Sequence, residues 1–150
     1  MDIDNYSQEL AKAISSYLID HQEFFSKYEI LAFDVGCFPW HGCFELSFLT
    51  SSDKLEDKYD IANWKLYAFN HELLPPSPYL DRLGQEMLEN YSSSDERSDL
   101  TLRLLCATAK AAMSTLVRGS IGQYNLHDNF KVTVFDPDAS DQENFCLAHS

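Results

Sequence analysis

The segment 99–118 constrains the fold more than any other part of the chain, because apolar residues surround nearly its whole circumference. Four polar side chains fall within one narrow stripe: Arg103, Lys110, Ser114 and Arg118. A helix that is apolar on almost every side has to be buried by neighbouring elements. Its alanines allow close approach to a sheet, and Gly119 and Gly122 are expected to end it.

An alternating pattern predicts strands earlier in the chain. Residues 30–35 and 43–50 each place apolar side chains at every second position, as in a strand that is buried on one face. Between them, residues 38–42 (FPWHG) predict a turn, since proline fixes φ and glycine permits a positive φ. We therefore expect an antiparallel hairpin with a five-residue loop. Residues 63–70 and 129–136 are predicted to form two further strands.

Two more helices follow from three- and four-residue spacing of apolar positions. One covers residues 3–19, with Asp4 or Asn5 as its N-cap, and the other runs from Ser77-Pro78 to about Tyr91. The predicted order is α-β-β-β-α-α-β. This order is typical of an α+β two-layer sandwich with a mainly antiparallel sheet and helices on one face. We expect a single domain over 1–150, with a loose acidic tail at 137–150.

The charge balance excludes several classes of partner. Eleven Lys and Arg against 24 Asp and Glu give a formal charge of −13. Nucleic-acid binders usually carry a basic surface, and anionic lipid attracts basic segments, so we expect neither nucleic acid nor a membrane as partner. The acidic N-terminus lacks a signal-peptide pattern, and the chain has no apolar run of about 20 residues. A cytoplasmic location is therefore expected.

The acidic residues are grouped, and the groups have two interpretations. One lies in the loop 51–60, one straddles the junction of two helices, and one occupies the tail. Either they form a solvated surface that keeps the protein soluble, or they complement a basic protein. Trp40, in the predicted turn, is a residue type favoured at the centre of interfaces. The predicted partner-binding residues are Trp40, Asp53, Glu56, Asp57, Asp60, Glu86 and Glu89.

The hairpin and the chain end also carry residues that are capable of metal binding, disulfide formation or acid/base chemistry. Zinc prefers tetrahedral thiolate and imidazole ligands, which five residues offer: Cys37, His41, Cys43, Cys146 and His149. The spacing is not that of a standard zinc motif, so we expect buried thiols, no metal and no cofactor. A Cys37–Cys43 disulfide requires an oxidising compartment and a register that places the two residues opposite each other. Asp34, His41 and Glu45 could act as an acid/base group if a desolvated cleft enclosed them.

The segment Asp60-Ile61-Ala62-Asn63-Trp64-Lys65-Leu66-Tyr67 follows a hydrophobic hairpin. This arrangement resembles a family of uncharacterised bacterial domains that occur in polymorphic-toxin immunity neighbourhoods. The N-terminal helix, the helix near 99–118 and the closing strand 130–134 suit the same pattern. The resemblance implies a small cytoplasmic binding protein that neutralises a toxin, and it brings no catalytic residues.

The favoured hypothesis is therefore a non-enzymatic, immunity-type protein whose acidic surface binds a basic protein partner such as a toxin. Two alternatives remain open. One is a small enzyme with an acid/base site near Asp34, His41 and Glu45. The other is an assembly domain in which exposed aromatic side chains form a homo-oligomer.

Overall fold

The computed structural model describes residues 1–139 and 143–150 and confirms the α+β class. Within these residues the helices are α1 (Ile3–Asp20), α2 (Phe69–Glu72), α3 (Pro78–Ser93), α4 (Arg97–Ala112) and α5 (Thr115–Ile121). The strands are β1 (Ile30–Phe38), β2 (Cys43–Thr50) and β3 (Leu126–Thr133).

The sheet has the order β2-β1-β3 and is mixed rather than mainly antiparallel. β1 pairs with β2 antiparallel and with β3 parallel. Parallel neighbours need a long crossover, and the four helices between β2 and β3 supply it. The C-terminal ends of β1 and β3 therefore lie at the same end of the sheet.

The hairpin is confirmed, with a loop one residue shorter than predicted. Phe38 pairs with Cys43, so four residues connect the strands, and Gly42 supplies the positive φ of 64°. Cys37 pairs with Phe44. Neighbouring strand positions point to opposite faces, so the side chains of Cys37 and Cys43 lie on opposite sides of the sheet. The conditional disulfide between these two cysteines is excluded by this register.

The third predicted strand, residues 63–70, is wrong. Leu66 makes one isolated bridge to Phe48, and Ala68 then adopts a left-handed conformation with φ 45°. The following residues turn into α2. Asn70 occupies the edge of β2 with its side chain: Leu46 N donates to its Oδ1 and its Nδ2 donates to the carbonyl of Phe44, each at 2.9 Å. The alternation in the sequence thus reflects burial beside a strand edge, not a strand.

The long apolar helix predicted over 99–118 is divided into α4 and α5, which are bent by 54° relative to each other. Ser114 causes the break by capping α5, since its Oγ accepts from Val117 N at 3.2 Å. Gly119 consequently lies inside α5, and the helix ends at Gly122.

The predicted caps have a mixed outcome. Ser77 caps α3 as predicted: Leu80 N donates to its Oγ at 3.1 Å, and Pro78 is the first helical residue. For α1 the prediction of Asp4 or Asn5 is wrong, because Asp2 accepts from the backbone N of Asn5 at 3.1 Å.

The two faces of the sheet are covered differently. The helical face, defined by Phe33, Val35 and Cys37 of β1, packs into one large core with residues of all five helices. The second face, defined by Ala32, Asp34 and Gly36, is covered by the loop after β2. There Trp64 packs against Ala32 and Leu49 in a separate small cluster. The helices therefore form one layer and the sheet the other, as predicted.

The end of the chain packs against the sheet, although a loose tail was expected from residue 137. Asn144 binds the end of β3: Val134 N donates to its Oδ1 at 3.1 Å and its Nδ2 donates to the Val132 carbonyl at 3.0 Å. Cys146 is buried in the main core. Asp141, assigned to the acidic tail, lies outside the described residues.

Over residues 1–139 and 143–150, no helix taken alone is long and apolar enough to cross a bilayer, and one bent pair, α4 with α5, reaches those limits only when its members are combined.

Candidate functional site

The parallel pairing of β1 with β3 brings three separate parts of the chain together. At the C-terminal ends of these strands lie the hairpin turn, the segment that follows β3, and the start of α4. Together with Tyr91 of α3 they line an open cavity of about 250 Å³, which we call the Trp40 site. Its main lining residues are Trp40, Tyr91, Arg97, Thr101, Asp136 and Asp138.

Two aromatic side chains form one wall of the Trp40 site. The ring of Trp40 is half-buried, with its centroid 6.1 Å from that of Phe38 and 6.4 Å from that of Tyr91. These contacts hold the indole between its own hairpin and the end of α3. The hairpin fixes the position of the ring, and the part that is left uncovered faces the cavity.

Two carboxylates and one guanidinium provide the charge of the Trp40 site. Asp136 and Asp138 follow β3, and Asp138 N donates to Asp136 Oδ1 at 2.9 Å, which fixes the turn between them. The Arg97 side chain binds the end of α3. Its Nε donates to the Tyr91 carbonyl at 3.1 Å, a terminal nitrogen donates to the Ser92 carbonyl at 2.9 Å, and the guanidinium stacks 5.3 Å from the Tyr91 ring centroid. Its hydrogen bonds thus go to carbonyl groups, and both aspartates keep oxygen atoms for another cation.

The wider surroundings of the Trp40 site are also acidic. Three exposed carboxylates lie around the start of α4: Asp95, Glu96 and Asp99. Glu86 and Glu89 are exposed on α3, within two helical turns of Tyr91. Among residues 1–139 and 143–150 two ion pairs occur, Lys12–Glu9 and Lys110–Asp4. Neither pair includes a carboxylate of this region, and at the cavity itself the positive charge of Arg97 stands against the two aspartates.

The other predicted partner-binding residues lie on the opposite side of the sheet. Asp53 is half-buried and holds the loop, since Thr50 N and Lys65 N each donate to its carboxylate at 2.9 Å. Asp60 accepts from Asn63 at 2.8 Å, and Glu56 is exposed. The carbonyl of Asp57 accepts from the Trp64 indole at 2.8 Å.

The seven predicted residues consequently form no single patch. Trp40 contacts Tyr91 of α3, the helix that also carries Glu86 and Glu89, whereas the loop acids lie elsewhere. Sequence reasoning missed Tyr91, Asp136 and Asp138 as neighbours of Trp40. The closely spaced pair of aspartates after a buried strand was visible, but only the parallel register shows which residues it meets.

Two of the three residues considered for acid/base chemistry, Asp34 and Glu45, lie on the second face of the sheet. Asp34 and Glu45 are diagonal neighbours there. Asp34 is 4% exposed, and burial raises its pKa to about 7. The Thr133 hydroxyl, which donates to Asp34 Oδ1 at 2.6 Å, lowers this pKa, and the Glu45 charge raises it. Glu45 accepts from the Tyr67 hydroxyl at 2.9 Å, whereas His41 is exposed in the hairpin turn. The three side chains therefore do not surround a common cleft.

The residues considered for zinc are separated as well. Within residues 1–139 and 143–150, no three His, Cys, Asp or Glu side chains are placed to share a metal ion. Cys37 packs on Met87, with 3.6 Å between the sulfur atoms, and burial raises the pKa of the Cys37 and Cys146 thiols to about 12. Cys43 is half-buried on the second face.

Comparisons with known proteins found no matching family model, no matching curated protein and no matching solved structure.

Proposed function

We propose that this chain is a non-enzymatic binding protein that holds a basic protein partner at the Trp40 site. The observation that carries the proposal is the meeting of Trp40 with Asp136 and Asp138 in one cavity. An arginine or lysine side chain entering this cavity would meet an aromatic face and two carboxylates, beside the Arg97 guanidinium that is bonded to backbone carbonyls. Cation–π contact and ion pairing then act on the same group.

The charge of the whole chain supports the same partner. A net charge of −13 attracts cationic proteins over a distance set by the ionic strength and speeds their association. The aromatic centre with a charged rim has the composition of an interface hot spot surrounded by polar residues. The resemblance to immunity-type domains suggests a basic toxin as the partner, which would be neutralised by being bound.

The test is retention of basic proteins on immobilised chain, with two double variants of equal charge. Asp136→Asn with Asp138→Asn removes two charges at the Trp40 site, and Glu56→Gln with Asp60→Asn removes two on the opposite side of the sheet. We expect a basic protein from the source organism to bind the wild type and the loop variant, to be released by salt, and to be lost from the Trp40-site variant.

Equal retention of the basic protein by both variants would show that the net charge of the chain alone causes the retention. Retention that is lost only in the loop variant would move the interface to the loop acids. Either result would contradict the proposal.

A further inference from the structure

A second cavity, of about 310 Å³, lies on the second face of the sheet. Ala32 and Leu49 of the sheet line it, together with Lys58 and Lys131. We call it the lysine cavity. Lys58 comes from the loop after β2 and Lys131 from β3, so the tertiary fold brings together two residues that are far apart in the sequence.

The side chains of the two lysines are neighbours, although the chain has 24 acidic residues with which they could have paired. The neighbouring side chain of Lys58 lowers the pKa of Lys131, and burial lowers it further. Neither lysine belongs to the two ion pairs found over residues 1–139 and 143–150. Glu143 lines the same cavity but is exposed, and one carboxylate leaves the pair of ammonium groups with an excess positive charge. Like charges held together are stabilised by an anion between them.

Aromatic side chains form the remaining walls. The rings of Tyr59 and Phe135 meet edge to face with their centroids 6.4 Å apart, and both residues line the cavity. Trp64, 4% exposed, lines it from the loop, where its indole N–H is already bonded to a backbone carbonyl. These rings offer apolar surface and π-faces to a planar ligand.

We propose that the lysine cavity binds a small aromatic anion, a single ring that carries a phosphate or carboxylate group. The paired ammonium groups of Lys58 and Lys131 would hold the anionic group, and Tyr59, Trp64 and Phe135 would contact the ring. The cavity volume corresponds to about ten water molecules at about 30 Å³ each, which is room for one substituted ring. This site is on the other side of the sheet from α3 and is independent of the proposed protein partner.

The experiment is a titration with phenyl phosphate in the Trp40→Phe background, where Trp64 is the remaining tryptophan and reports on the cavity through its fluorescence. We expect a saturable change with phenyl phosphate and weaker binding of inorganic phosphate, which lacks the ring. Lys58→Gln and Lys131→Gln should each lower the affinity for phenyl phosphate by about tenfold or more, as expected for a lost charge-assisted hydrogen bond. Lys65→Gln, an exposed lysine outside the cavity, should leave the affinity unchanged.

Three results would overturn the proposal. These are an absence of saturable binding, equal affinity for phenyl phosphate and inorganic phosphate, and equal effects of Lys65→Gln and the two cavity variants. Thermal unfolding of each variant checks that the fold is intact, which we expect because the replaced ammonium groups lie at the surface of the cavity rather than in the core.

Discussion

Replacing Asp34 by asparagine should make the protein more stable at neutral pH, although it removes a buried hydrogen-bonding carboxyl group. Asp34 is buried on the second face, and its pKa of about 7 lies far above the ordinary value of 3.8. Asparagine has nearly the same shape and keeps an oxygen that can accept from the Thr133 hydroxyl. The substitution therefore removes the titration and keeps the packing.

The sign of the effect follows from proton linkage. Below about pH 4 the carboxyl group is protonated in both the folded and the unfolded chain, and it contributes no pH dependence. Between about pH 4 and pH 7 the unfolded chain releases the proton while the folded chain retains it, so the free energy of unfolding falls as pH rises. The difference between 3.8 and about 7 corresponds to a loss of about 4 kcal/mol, which is complete above pH 7.

The assay is urea unfolding of the wild type and Asp34→Asn between pH 4 and pH 8. We expect the advantage of the variant to grow by about 4 kcal/mol over this range. Asp95→Asn, at an exposed position, is the control for the loss of one negative charge. A difference between wild type and Asp34→Asn that stays constant with pH would refute the account of Asp34.

Three further predictions concern the packing. Gly84→Ala should destabilise the protein by about 1–3 kcal/mol in urea unfolding, because a Cβ there would overlap the carbonyl oxygen of Gly42. An unchanged urea midpoint of unfolding would contradict this close approach. Asn70→Ala should cost about 1–3 kcal/mol in the same assay, because the buried Leu46 N loses its acceptor, whereas the Phe44 carbonyl keeps its contact with His71 Nε2 at 2.9 Å. A loss no larger than that caused by replacing an exposed asparagine would refute this prediction. A thiol reagent should label exposed Cys106 in the folded protein and buried Cys37 only after unfolding, as mass spectrometry would show; equal labelling would contradict the burial.

Local patterns predicted much of the secondary structure. The helix over 3–19, the hairpin of β1 and β2, and the start of α3 at Ser77-Pro78 all follow from interactions between residues close in sequence. The strand predicted over 63–70 failed because burial beside the edge of β2 produces the same alternation as a strand. The break between α4 and α5 depends on a serine cap that the continuous apolar pattern concealed.

The candidate sites were less predictable than the elements, because they depend on the sheet topology. Early neighbouring strands favoured antiparallel pairing, whereas β3 enters parallel to β1. That single difference brings Asp136 and Asp138 to Trp40. The meeting of Lys58 and Lys131 likewise depends on where the loop after β2 lies on the sheet, for which the sequence contains no periodic signal.

Binding of cationic side chains at the Trp40 site is measured by following the two tryptophan indole N–H signals by NMR while a short arginine-rich peptide is added. Trp40→Phe assigns the signals. We expect the Trp40 signal to shift saturably, salt to reverse the shift, and the double replacement of Asp136 and Asp138 by asparagine to abolish it. A Trp40 signal that remains in place, or that shifts equally in this double variant, would contradict the claim that the Trp40 site binds cationic side chains.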